Sequence, residues 1–284
     1  MNTALKDRLV KRLNQTSRYT ILIVVGILMI VPVIWLLISS VKLDTDYMAW
    51  PIHFLPVSWQ WLNYKLVFTM TPFVVVAMRT LLLGLLTSII TAITSAMGGY
   101  AFARFQDVKG NKWLFQVLIV LLIVPSVVIL IPQFMVFAQL KLTNTYWPWI
   151  LGALVAEPYF IFLYRQFFLG FPKELEDAAE IDGCGAFRIF WQILLPNSKP
   201  VIATVLIFAF NGLWGDYIRP SIYLTDAKTL LGVKMATAFV DPVGNSLRTV
   251  SLAATLIYIL PLVIVFFFGQ KYILKGLITS GLKG

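Results

Sequence analysis

The chain has 284 residues, of which 59% are hydrophobic and only 13% charged, with a mean hydropathy of +0.84. An average soluble domain carries about 25% charged residues, so this composition excludes an ordinary soluble fold and calls for several membrane-spanning helices. The net charge of +10 does not point to nucleic acid, because the basic residues stand in short loops beside apolar runs, and one Cys (Cys184) with one His (His53) excludes a metal cage built from those residues.

Residues 1–18 form a basic tail. The first apolar run, Tyr19–Ser40, is longer than the about 7–15-residue core of a signal peptide and leads into Lys42, Leu43 and Asp44, so it reads as a retained transmembrane helix. The outer loop Asp44–Pro72 follows, with Trp50, Phe54, Trp59, Trp61 and Tyr64 suited to the headgroup level. Val74–Ala103 is longer than the hydrocarbon core requires, which predicts tilt or protrusion. Trp113–Phe134 and Trp147–Phe168 are the third and fourth runs, and a charged segment, 172–196, separates them from the fifth, Pro200–Tyr217. A polar loop, Arg219–Thr249, holds the turn sequence Asp241-Pro242-Val243-Gly244-Asn245 and precedes the last run, Val250–Ile273. Its size suits a finger reaching outward or a solvated connector equally well. Backbone groups in lipid must pair within their own segment, which selects helices. The predicted fold class is all-α, a polytopic membrane protein with six transmembrane helices. One domain covers residues 19–273, with tails at 1–18 and 274–284 and no soluble domain.

Basic residues set the orientation. One side receives Lys6, Arg8, Lys11, Arg12, Arg18, Arg104, Lys109, Lys112, Arg165, Lys173, Arg188, Lys199, Lys271, Lys275 and Lys283. The other receives Lys42, Lys65, Arg79, Lys141, Arg219, Lys228, Lys234 and Arg248. The split is 15 to 8 among the 23 basic residues. The richer side is predicted to be cytoplasmic, with both termini and segment 172–196.

That segment reads as two short helices. Pro172 suits a first helical position, and Glu174, Glu176 and Asp177 complement the dipole of the first turn. Gly183 is a C-terminal stop after about Asp182, and Gly185 allows a second bend before Ala186–Leu195. Ala178 and Ala179 keep one side slim enough to enter a groove, while the acids are free to pair with Arg or Lys of a partner. From local physics alone a solvated amphipathic loop fits equally well.

The pattern Asp177-Ala178-Ala179, Gly183, Ile193, Leu195-Pro196 resembles the EAA motif of ABC-importer permeases, with Asp177 where Glu is usual. Further resemblance runs through Phe54-Leu55-Pro56, Asn63-Tyr64, Tyr100-Ala101-Phe102-Ala103-Arg104-Phe105, Ile131-Pro132, Asn144-Thr145, Arg165-Gln166-Phe167-Phe168, Trp214-Gly215-Asp216 and the tail Gly276–Gly284. Together these resemble the smaller permease of carbohydrate importers of the maltose and glycerol-phosphate type. The resemblance implies a docking loop made of Glu174, Glu176, Asp177, Ala178, Ala179, Gly183 and Pro196. It also implies a prokaryotic inner membrane, a heterodimer with a sister permease, two ATPase subunits, and an extracellular or periplasmic binding protein facing Asp241, Pro242, Gly244 and Asn245. ATP and Mg would sit on the ATPase. This chain has no G-x-x-x-x-G-K-[S/T] loop, since Gly110-Asn111-Lys112 lacks the spacing, and no HExxH or Ser-His-Asp set, so no catalytic residue is assigned. His53 reads as an interfacial or solvated side chain.

Glu157 is predicted near the middle of the fourth span, where a charge costs about 2.5–3.5 kcal/mol. It therefore needs a partner, water or protonation, with Arg79 and Arg219 as candidate partners nearer the outer ends. Glu157, Asn211 and Asp216 are the candidate pathway residues, although Asn211 also suits helix–helix hydrogen bonding. An ATP-independent transporter or channel accounts for six spans and Glu157, but not for the docking segment.

Overall fold

The computed structural model describes the backbone of residues 3–281 and the side chains of residues 15–271. The side chains of Lys6, Arg8, Lys11, Arg12, Lys275 and Lys283, and of the Gly276–Gly284 tail, lie outside the described residues. Among the described residues the chain is helical, and one isolated antiparallel bridge joins Val240 to Ser246. The chain forms two compact units, residues 1–71 with 238–259 and residues 72–237 with 260–284.

In the first unit, α1 (Thr3–Ser40) exposes most of its apolar side chains from Tyr19 to Leu37, as a lipid-facing helix requires. It ends in a buried polar knot that includes α2 (Asp44–Tyr47) and α3 (Leu62–Met70). Lys42 is 1% exposed. Its ammonium donates to the His53 carbonyl and lies 4.7 Å from the Trp35 ring centroid. Asn63 donates to the carbonyls of Ser40 and Lys42, both at 2.9 Å. His53 is not simply solvated: its Nδ1 lies 2.7 Å from Asp46 Oδ1, while Asp46 Oδ2 accepts the Val57 amide at 3.0 Å.

The second unit is built on α4 (Phe73–Arg104), 32 residues without a proline and therefore about 48 Å long. Between residues 87 and 99 its buried positions are all small: Thr87, Ser88, Thr91, Ala92, Ser95, Ala96 and Gly99. Such a stripe lets helices approach closely where no hydrophobic effect drives them together. Thr87 and Ser88 donate to carbonyls one turn back, so no hydroxyl of this pair is stranded. A Cβ at Gly99 would fall 2.4 Å from the Tyr164 Cβ, so only glycine permits this crossing.

Six spans are reached only by counting bent pairs. Gln15–Ser40, Phe73–Arg104, Trp147–Leu169 and Arg248–Lys271 qualify alone. The predicted span Trp113–Phe134 is two helices, α5 (Asn111–Leu121) and α6 (Ser126–Gln139), bent by 100°. Pro125 at the junction is extended, with ψ 129°; it lacks an amide proton and disfavours helix in the residue before it. The fourth span breaks into α7 (Trp147–Leu154) and α8 (Pro158–Leu169). The docking segment contains α9 (Glu174–Ile181) and α10 (Ala186–Asn197), which has a π turn at Phe190–Leu194. The wide turn precedes Pro196, which has no proton for a regular helical bond. α10 meets α11 (Lys199–Trp214) at 81°. α12 (Ile218–Tyr223), α13 (Leu231–Thr237) and α14 (Arg248–Gly281) complete the chain, α14 with Pro261 inside it.

Candidate functional site

The docking segment is anchored on one face and bare on the other. α9 ends in a Schellman turn. The Cys184 amide donates to the Ala179 carbonyl and the Gly183 amide to that of Glu180, both at 2.9 Å, with Gly183 at φ +80°. Pro172 stands two positions before the first helical residue, not at it. Ala179 is 7% exposed and packs into its own chain's core with Tyr100, Phe168, Phe190 and Leu194. The predicted slim Ala178–Ala179 face therefore does not exist as a unit: Ala178 is exposed and Ala179 points inward.

Glu176 is likewise not free for a partner. Arg104 Nε lies 2.8 Å from each Glu176 carboxylate oxygen, and Nη2 also donates to Oε1. The two side chains are 10% and 8% exposed. The remaining surface carries Glu174, Asp177, Glu180 and Asp182 together with exposed Leu175, Ile181, Phe187 and Trp191. Exposed acids beside exposed apolar side chains, with Lys173 and Arg188 also exposed on the segment, make a surface that a grooved protein with basic residues can cover. Pro196 is exposed at the far end of α10.

The pathway residues fare unequally. Glu157 sits in the break between α7 and α8, in extended conformation (ψ 129°) just before Pro158, and not within a continuous helix. An X-Pro step favours this geometry. Neither proposed partner reaches it as an ion pair. Arg79 donates to the carbonyls of Ala227 and Thr229, while Arg219 Nε donates to Asp216 Oδ2 at 2.6 Å. Asp216, just past α11, also faces Trp149 Nε1 at 3.4 Å. Arg219, Trp149, Gln133, Phe137 and Tyr223 line one small cleft. Tyr223 is 3% exposed, and its hydroxyl has no hydrogen-bond partner among the described residues. Asn211 lies exposed on α11 and is not part of that lining.

Asp241 closes a hairpin in the first unit. Its Oδ1 accepts the amides of Val243 (2.9 Å) and Asn245 (2.7 Å), and its Oδ2 accepts the Asn245 side chain at 2.9 Å. These bonds, the Asn245 side chain first, hold the carboxyl below its ordinary pKa. Gly244 takes φ +92° in the turn after Pro242, and Val243 at the tip is 85% exposed. Among the described residues no group of three or more His, Cys, Asp or Glu has metal-ligand geometry.

Residues 95–279 match the model of the "Binding-protein-dependent transport system inner membrane component" family. The chain belongs to this family. It is similar to the arabinooligosaccharides transport system permease protein AraQ of Halalkalibacterium halodurans, 37% identical over 197 residues that make up 69% of each chain. It is also 30% identical to the maltodextrin transport system permease protein MalD of Streptococcus pneumoniae over 295 aligned residues, covering all of both chains. In fold it matches a chain from the crystal structure of a bacterial ABC transporter involved in the import of the acidic polysaccharide alginate. That match has a TM-score of 0.78 and 20% identity, covering 93% of this chain and 98% of the other. The all-α fold read from the sequence is thus the ABC-importer permease fold.

For a permease of this family, two partners escape the sequence. Arg104 figures there as a charge in the orientation count and as part of the Tyr100–Phe105 resemblance, without a partner, yet it holds the docking segment. A signal is present: Tyr100 and Arg104 are one turn apart at a helix end, and both side chains reach that segment. Trp149 is not singled out in the sequence, and nothing local marks it as the neighbour of Asp216, which is 67 residues away.

Proposed function

We propose that this permease carries a carbohydrate, of the sugar or oligosaccharide class, through an importer driven by a separate ATPase. The relatives' names supply the substrate class. The observation that carries the mechanism is the two-sided α9, tied to its own chain by Glu176 and Ala179 and bare along Glu174, Asp177, Ala178, Glu180 and Ile181. On this reading two ATPase subunits, which bind ATP and Mg, cover the bare face. A sister permease completes the path in a heterodimer. An external binding protein meets the hairpin Asp241–Asn245, and both termini lie in the cytoplasm of a prokaryotic cell. Substrate passes near Glu157, Asn211 and Asp216, polar side chains suited to hydrogen-bonding sugar hydroxyls.

The test is affinity purification of the native complex with identification of co-purifying chains and bound sugar. It is paired with uptake measured when ATP hydrolysis is blocked and ion gradients are intact. Co-purification of an ATPase, with uptake abolished by the block, is expected. Uptake that persists, with no ATPase bound, rejects the reading and leaves an ATP-independent transporter.

A further inference from the structure

Among the described residues of the unit formed by 72–237 and 260–284, α4 is the longest helix free of any break or interior proline. The third and fourth spans are interrupted, the fifth meets α10 at a sharp bend, and α14 contains Pro261. A continuous helix whose backbone bonds are all made is the stiffest of these elements, since bends arise at prolines, π turns and breaks.

Both ends of α4 are fastened to polar segments. At its C-terminal end, Arg104 grips Glu176 through its planar fork, and Tyr100, one turn earlier, donates its hydroxyl to the Ala186 carbonyl at 3.2 Å. This end therefore holds α9 and the first residue of α10. Near its N-terminal end, Arg79 donates to the carbonyls of Ala227 (2.9 Å) and Thr229 (3.2 Å). The next residue, Thr80, is fully buried and accepts the Leu231 amide at 2.9 Å while donating to the Val76 carbonyl at 2.8 Å. The segment between α12 and α13 thus hangs on α4, and the Tyr146 hydroxyl ties it to the start of α7 by donating to the Lys228 carbonyl at 2.9 Å.

A bidentate pair this far removed from water does not separate easily. Parting it leaves a charge with neither partner nor solvent. A displacement of α9 that keeps the pair intact must carry Arg104 with it.

We propose that α4 is a transmission rod: movement imposed on α9 passes through the Arg104–Glu176 clamp, along α4, to the 226–231 segment held by Arg79 and Thr80. This rests on the reading of α9 as the ATPase-docking helix. In this role Arg104 and Glu176 are positioning residues. They make α4 move with the docking helix and touch no substrate.

The test uses the complete importer, with its ATPase and sister permease, in lipid nanodiscs. Cys184→Ala removes the native cysteine, and Ala227→Cys places a reporter on the exposed segment. Labelling by a membrane-impermeant maleimide is timed with and without Mg-ATP plus vanadate. The intact clamp should give a labelling rate that changes about fivefold or more on trapping. In Glu176→Gln, and in Arg104→Lys, which keeps the charge but loses the fork, the change should fall below about twofold while ATPase co-purification and ATP hydrolysis persist. Variants that assemble and keep the full change overturn the rod, and so does an absent change with the clamp intact. Loss of assembly in both variants also overturns it, making the pair a fold staple. Failure of the unmutated permease to retain any ATPase rejects the docking reading instead.

Discussion

The docking segment and the hairpin at Asp241 are both short polar stretches between apolar runs, yet they are held in opposite ways. The hairpin is stabilised by itself: one carboxylate satisfies the amides and side chain of residues two and four positions away. α9 is stabilised by residues far along the chain, through Arg104 and the core around Ala179. A self-contained turn moves on its own and transmits little. A segment clamped to a long helix cannot move without that helix. The same kind of polar composition therefore supports a contact tip in one case and a lever in the other.

The largest expected effect breaks the clamp. Arg104→Ala leaves Glu176 buried and uncompensated, which should cost about 3–5 kcal/mol and lower the thermal unfolding midpoint of the purified permease. A midpoint matching the unsubstituted chain would place Glu176 in water and remove the contrast. Next, two neighbouring alanines separate the faces of α9. Ala179→Trp overpacks the permease's own core, at about 1–3 kcal/mol, and should reduce folded protein in the membrane. Ala178→Trp should leave folding alone and weaken ATPase retention. Equal effects of the two substitutions would show that α9 has no distinct inner face.

Smaller changes test the bare surfaces. Asp177→Ala removes one exposed charge, worth about 0.2–1 kcal/mol in a surface pair. It should lower ATPase retention in a salt-sensitive way, measured by co-purification at rising ionic strength. The smallest effect belongs to the hairpin. Asp241 has a folded pKa depressed below its ordinary value by its hydrogen bonds from Asn245, Val243 and Gly244. Its contribution is therefore complete above the unfolded value and is lost as pH falls through the folded one. Limited proteolysis at the Val243 tip should be unchanged from neutral pH down to about pH 4 and should accelerate below it. Asp241→Ala should cleave faster at every pH while ATPase retention is unaffected. A parallel loss of ATPase retention would show that the hairpin is not self-contained.

Much of the molecule is readable in the chain. Apolar run length and the scarcity of charge fixed an all-helical membrane protein, because lipid admits few other ways to satisfy a backbone. The glycine at 183 announced the end of α9, since only a residue without Cβ takes that turn cheaply. The EAA-like spacing of Asp177, Gly183 and Pro196 pointed to the family that residues 95–279 then matched. Hydropathy overlooked the breaks at Pro125 and Pro158, because a window average does not register a missing amide proton. It also placed Glu157 inside a helix that in fact stops just before it.

Local sequence determined what depends on neighbours within a turn or two: the helices, the Gly183 stop and the Asp241 hairpin, which form from bonds between nearby residues. Tertiary structure alone decided which of several similar acids is buried and which alanine faces the core. Those outcomes depend on Arg104 and Tyr100 arriving from α4, some seventy residues or more away. Five acids in one short segment are alike as a sequence. A single guanidinium, placed by the packing of α4 against α8 at Gly99, makes one of them part of the frame and leaves the others on the surface.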